Sequence, residues 1–102
     1  MCGLTGILFA DPSRSVPEAV LHRMSAAVAD RGPDGEGTWF DDGIALAHRR
    51  LSIIDVDGGR QPLGNEDGSI QVVFNGEIYN HRELRRELEA AGHRFHTRSD
   101  TE

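Results

Sequence analysis

Apolar positions cluster unevenly along the chain, and their spacing predicts a short series of elements. Residues 3–10 are largely apolar and stop at Asp11-Pro12. A run this short reads as a buried strand rather than a helix. Further on, Val20, Leu21, Met24 and Val28 recur on one face of a helix ending near Asp30. Ser15 and Glu18 stand ahead of it at capping-box spacing, with Pro17 near the first turn. Residues 31–37 collect Gly and Pro, which predicts an exposed loop. Thr38-Trp39-Phe40 and the run Ile44 to His48 flank Asp41-Asp42-Gly43, an antiparallel hairpin pattern.

The second half is more broken. Leu51-Ser52-Ile53-Ile54 reads as a short strand, followed by a Gly-rich loop to Gly64. Ile70-Gln71-Val72-Val73-Phe74 carries apolar residues on both faces, so a strand covered on both sides is expected. Asn80 and Glu83 repeat the capping-box spacing, Leu84, Leu88 and Ala91 form the next helix face, and Gly92 suits its C′ position. His93 to Thr97 reads as a last strand. Helices mixed with antiparallel strands make the fold class α+β.

Composition narrows the function. At 102 residues, 37% of them hydrophobic, there is room for one domain with a modest core. A net charge of −6 argues against a nucleic-acid partner or an anionic membrane surface. No apolar run approaches the ~18 residues of a membrane span, and no signal-peptide pattern opens the chain. The single Cys forms no internal disulfide, which fits the cytoplasm. All 11 basic residues are Arg, so a P-loop lysine is excluded. The five His residues show no metal-ligand spacing, and Asp55-Val56-Asp57-Gly58 lacks the Glu that would complete a calcium loop.

Three features carry candidate chemistry. Cys2 would become the first residue if Met1 were removed, uniting a thiol nucleophile with an α-amine of matched basicity. The alternative is an idle Cys at a mobile terminus. Asn75-Gly76 is either a hairpin turn or a pair of N–H donors converging on an oxyanion. Against the turn, Glu77 and Ile78 do not begin a clean alternating strand. Arg50 sits between two apolar runs and suits a carboxylate, while Glu77 and Asp100 suit an ammonium. Each of these charges is otherwise an ordinary surface group.

The order of these motifs is more specific than any one of them. Met1-Cys2-Gly3, Arg31-Gly32-Pro33-Asp34, the run from His48 to Asp55, the run from Asn75 to Asn80, and Ser99-Asp100-Thr101-Glu102 follow one another at family-like spacing. The chain resembles the N-terminal glutaminase domain of glutamine-hydrolysing asparagine synthetases, class II glutamine amidotransferases of the N-terminal-nucleophile hydrolase superfamily. Sister amidotransferases share the terminal Cys and the Asn-Gly but differ at the second and third motifs.

The resemblance implies a four-layer αββα sandwich of antiparallel sheets, with residues 1–102 forming only its N-terminal part and the C-terminal synthetase domain lying outside them. It implies that Cys2 attacks glutamine while Asn75 and Gly76 hold the oxyanion. Arg50 would bind the substrate α-carboxylate, Glu77 and Asp100 its α-ammonium, and the backbone near Leu51 and Ile53 would line the pocket. No cofactor or metal is expected within these residues. ATP and Mg²⁺ would serve the synthetase domain, which would receive the ammonia and make asparagine from aspartate. Glutamine is the expected substrate, and a homodimer is compatible with the family. Two alternatives stay open: an amidotransferase with another acceptor, and a non-catalytic module that binds glutamine or a partner.

Overall fold

The computed structural model describes residues 1–52 and 59–102. Ile53, one of the expected pocket residues, lies outside them, as do Ile54 and the Asp55–Gly58 stretch. The element order is β1 (Gly3–Leu8), α1 (Glu18–Ala27), a single 3₁₀ turn (Ala29–Arg31), β2 (Gly35–Asp41), β3 (Ile44–Arg50), β4 (Leu63–Gly64), β5 (Gln71–Val72) and α2 (His81–Ala90). The architecture is α+β with antiparallel sheets. Among the described residues no helix is long and apolar enough to cross a membrane.

β3 is the centre of a three-stranded sheet of order β1-β3-β2. Thr5 and Thr38 both face Ala47, and Ile7 and Phe40 both face Ala45. The predicted hairpin forms between β2 and β3, and Gly43 takes φ +71° at its turn, which a residue with a side chain rarely adopts. Alternation sends Ala45, Ala47 and Arg49 to one face and Leu46, His48 and Arg50 to the other. α1 covers the first face. Leu21 is wholly buried there with Val16, Ala45 and Ala47, and Ile7, Phe9 and Phe40 pack around them. The small side chains on β3 allow the helix to approach closely. At its far end a Cβ on Gly3 would lie 2.8 Å from that of Val28.

A polar knot closes the same end of this interface. The Ser25 hydroxyl donates to Glu36 Oε1 at 2.8 Å and accepts from Arg49 Nε at 2.9 Å, while an Arg49 terminal nitrogen reaches Glu36 Oε2 at 3.1 Å. Arg49 and Glu36 are register partners, so one bond network joins α1, β2 and β3. The Ser25 bond, with smaller help from Arg49 and His22 against partial burial, holds the Glu36 carboxyl below the usual carboxylate range.

Several expectations are corrected. Neither capping box forms: Pro17 and Asn80 are the N-caps, and neither helix has a side-chain cap bond. Gly35 to Gly37 are strand rather than loop. Their glycines mark a close approach, because a Cβ on Gly37 would sit 1.9 Å from the Gln61 carbonyl oxygen. Leu51 and Ser52 lie beyond the end of β3. The strand expected over Ile70–Phe74 contracts to Gln71–Val72, paired antiparallel with β4, and Ile70 is 65% exposed. It ends because the Phe74 N–H donates to the Gln61 side chain instead of a neighbouring strand. No strand forms over His93 to Thr97. Gly92 does end α2, with φ +101°, and the His93 N–H to Leu88 and Gly92 N–H to Glu89 bonds complete a Schellman motif.

Candidate active site

The face of the sheet away from α1 meets the second half of the chain, and the candidate residues gather there. Cys2 precedes β1 by one residue and is half-buried. Its sulfur accepts the Leu51 N–H at 3.3 Å and its thiol lies 3.7 Å from the Leu51 carbonyl oxygen. Leu51 just follows β3, so the antiparallel pairing of β1 with β3 brings residues 49 apart in sequence into contact. Arg31 adds a bond from its Nε to the Cys2 carbonyl at 3.4 Å. The Ser52 N–H donates to Asp34 at 2.7 Å and the Asp34 N–H to the Arg50 carbonyl at 2.9 Å. These bonds fasten the chain leaving β3 to the loop ahead of β2.

Asn75 and Gly76 leave the second sheet in an exposed turn, and no β-hairpin forms around them. The segment is clamped at both ends. On one side the Phe74 N–H donates to Gln61 Oε1 at 2.5 Å, and the Phe74 carbonyl lies 3.3 Å from His48 Nε2. On the other, the Ile78 N–H donates to Asp100 Oδ2 at 2.8 Å. Beside Gly76 stands the Phe74 ring, 2.5 Å from where a Cβ would be. A side chain at 76 would therefore displace the ring.

Asp100 is placed by its own turn. Burial alone would raise the Glu102 carboxyl, but bonds from the His96 and Thr97 N–H groups and the Thr97 hydroxyl outweigh it, so Glu102 stays ionised. Arg85 of α2 then donates to the Thr97 and Ser99 carbonyls and covers the Phe95 ring at 4.3 Å. These contacts hold the Ser99–Thr101 turn against α2.

One cavity of about 350 Å³ is lined by Cys2, Arg50, Leu51, Asn75, Gly76, Glu77 and Asp100 among others. All the expected site residues within the described portion meet there. Its size is that of a small-molecule site, which typically spans about 300–1,000 Å³. A larger space of about 540 Å³ adjoins it, sharing His48, Arg50 and Gln61 but not Cys2. Among the described residues, no group of three His, Cys, Asp or Glu side chains could hold a metal ion.

Two residues of this region escaped the sequence reading. His48 is 1% exposed and Gln61 9% exposed. Gln61 also donates to the Thr101 hydroxyl at 3.2 Å, bridging the Phe74 backbone to the Asp100 turn. The only sequence signal at 48 was a histidine in an otherwise apolar strand. At 61 there was none, because a Gln in a Gly-rich stretch looks like loop.

Comparison with known proteins bears on what the cavity does. A model of the glutamine amidotransferase domain matches residues 1–102. The chain is 46% identical, over its full length, to asparagine synthetase [glutamine-hydrolyzing] 1 of Bacillus subtilis, covering 16% of that protein. It is 48% identical to asparagine synthetase 2 of the same organism, covering 14% of it. Against the asparagine synthetase of Brassica oleracea it is 46% identical over 98% of the chain and 17% of the relative. The chain thus spans about one-sixth of the length of these relatives.

Proposed function

Because this chain belongs to the glutamine amidotransferase domain family, we propose that its cavity hydrolyses glutamine and that it forms the front part of the glutaminase half of an asparagine synthetase. One observation carries the reading: the thiol, the Asn-Gly donors and charges of both signs line a single cavity. In the whole protein a synthetase domain would take the ammonia and aspartate, with ATP and Mg²⁺ supplying activation there. Within this chain the P-loop route to ATP is closed, since it has no Lys. The four-layer sandwich belongs to the same proposal, with α1 and the β1-β3-β2 sheet as two layers and β4–β5 as the start of the facing sheet. A reducing compartment such as the cytoplasm keeps a free thiol of this kind available, and that location belongs to the same proposal.

The chemistry begins with removal of Met1, which frees the Cys2 α-amine. That amine takes the thiol proton, directly or through water, and the sulfur attacks the side-chain amide carbon of glutamine. The carbonyl π bond opens, and the resulting oxyanion receives the Asn75 side-chain NH₂ and the Gly76 N–H. Arg50 meets the α-carboxylate, and Glu77 and Asp100 meet the α-ammonium. Asp100 spends one oxygen on the Ile78 N–H, so the residue that reads the substrate also fixes the oxyanion loop. As the tetrahedral adduct collapses, the C–N bond breaks and the amine returns its proton to departing ammonia. Water then attacks the γ-glutamyl thioester, the C–S bond breaks, and glutamate leaves. Two charged ends and an amide must all be matched, and a ligand lacking one leaves a polar group unpaired, which selects glutamine over other amides.

The test is Cys2→Ala in the protein encoded by the full reading frame. Glutamine-dependent asparagine formation should vanish while ammonia-dependent formation persists. Retained glutamine hydrolysis in that variant, or a mature N-terminus that keeps Met1, refutes the mechanism.

A further inference from the structure

The loop that carries Asn75 and Gly76 is short, exposed and outside any regular element. Free backbone of this kind samples many conformations, whereas an oxyanion hole works only when its donors are fixed before charge develops. Something must therefore hold it. The Phe74 residue immediately ahead of the loop has both of its backbone polar groups taken by buried side chains: its N–H by Gln61 and its carbonyl by His48. The Phe74 carbonyl lies in the same peptide plane as the Asn75 nitrogen, so its direction sets how the loop departs.

His48 makes this bond at a disadvantage. A contact to a carbonyl oxygen requires the proton on Nε2, which leaves Nδ1 an acceptor. That Nδ1 is buried and has no hydrogen-bond partner among the described residues. An apolar side chain at 48 would avoid the unmet nitrogen, and would also release the Phe74 carbonyl. Burial pushes the His48 imidazole below its ordinary pKa, more than the Phe74 bond raises it, so the ring stays neutral and the tautomer fixed.

We propose that His48 and Gln61 are positioning residues for the oxyanion loop, holding the Phe74 backbone so that Asn75 and Gly76 face the cavity. Neither side chain needs to touch the reacting atoms. The inference rests on the glutaminase reading above. It assigns the two residues an effect chiefly on turnover, because the groups proposed to bind glutamine, Arg50, Glu77 and Asp100, are other side chains, and Asp100 keeps its own bond from the Ile78 N–H.

The experiment compares His48→Leu, His48→Gln, Gln61→Met and Gln61→Glu in the protein from the full reading frame. Kinetics of glutamine hydrolysis, ammonia-dependent synthesis and the rate of Cys2 alkylation by iodoacetamide are measured for each. Leu at 48 and Met at 61 should lower kcat roughly ten- to a hundredfold, below the full loss of a donor. KM should stay within about threefold, with alkylation and ammonia-dependent synthesis unchanged. Gln at 48 restores a donor and Glu at 61 keeps the acceptor, so each should recover most of the lost kcat.

Unchanged kcat in both apolar variants overturns the proposal. So does a parallel fall in kcat, KM, alkylation and ammonia-dependent synthesis, or a failure of the polar variants to outperform the apolar ones. If His48→Leu does not fold, the Gln61 pair carries the same comparison, and insolubility of all four variants overturns the proposal in favour of a purely structural role. A wild-type protein that hydrolyses no glutamine, or a Cys2→Ala variant that still does, removes the underlying reading instead.

Discussion

Gly37→Ala, set beside Gly35→Ala, tests how the second half of the chain is held to the sheet. Both glycines lie on β2 and, two residues apart, point to the same face. Neither has a positive φ, so backbone strain does not distinguish them. Their surroundings do. A Cβ at 35 would find its nearest neighbour, the Arg50 Cβ, at 4.0 Å, whereas one at 37 would lie 1.9 Å from the Gln61 carbonyl oxygen and 3.0 Å from its carbon. Backbone cannot swing aside as a long side chain would. Overpacking typically costs about 1–3 kcal/mol, and a backbone clash this close belongs at the upper end. Alanine restricts the unfolded chain and returns about 0.4–1 kcal/mol at either site. Gly37→Ala should therefore destabilise by about 2 kcal/mol, and Gly35→Ala should be neutral or stabilising by up to about 1 kcal/mol. The difference, about 2–3 kcal/mol, is roughly thirty- to over a hundredfold in an opening equilibrium. Hydrogen exchange of the β2 and β3 amides reads that equilibrium in a chain of any length. Displacing Gln61 should also slow glutamine hydrolysis in the alanine 37 variant alone. Equal protection and equal turnover in the two variants would refute the close approach and the coupling drawn from it.

Other outcomes follow from the same geometry. Leu21→Ala empties the one fully buried large apolar side chain among the described residues and should cost about 2–5 kcal/mol, read as a lower denaturant midpoint. Arg50→Lys replaces a planar fork with a point charge and should raise KM for glutamine roughly tenfold with a smaller effect on kcat; an unchanged KM would remove Arg50 from the substrate site. Burial, opposed by the Phe74 bond and assisted by the Arg50 charge, depresses the pKa of folded His48 below its ordinary 6.5. Below that value the unfolded chain binds the proton first, so stability is full above about pH 6.5 and declines as pH falls toward the folded pKa. Melting temperatures of wild type and His48→Gln, taken from about pH 5 to 7.5, should converge at the acid end if this is so. Ser25→Ala removes the largest contribution to the low pKa of Glu36, which should rise toward 4.5 in a carboxylate titration.

Much of the fold is legible in the chain because it is local. The period of Leu21, Met24 and Val28 finds α1, and the Asp42-Gly43 turn finds the β2–β3 hairpin, since each depends on residues a few positions apart. The capping boxes mislead for the same reason. Spacing at Ser15–Glu18 and Asn80–Glu83 supplies the residue types but not the backbone angles, and the chain enters each helix one or two residues away or without the side-chain bond. Gly35 and Gly37 look like breakers because sequence reports a missing side chain without saying what occupies the space. Here one of the two gaps is filled by the Gln61 backbone.

The sequence by itself determined the chemistry present: one thiol next to the first residue, an Asn-Gly pair, and charges suited to an amino acid's two ends. It also determined α1, the hairpin and the Gly92 stop, all set by short-range periodicity and backbone permissiveness. Only the tertiary structure decided that Cys2 lies against Leu51, that Asn75 and Asp100 border the same cavity, and that His48 and Gln61 both bond the Phe74 backbone. Those relations join residues 13 to 49 apart through strand register and buried side-chain bonds to backbone. Such bonds have no period and no fixed spacing, so they become visible only when the sheet has brought their partners together.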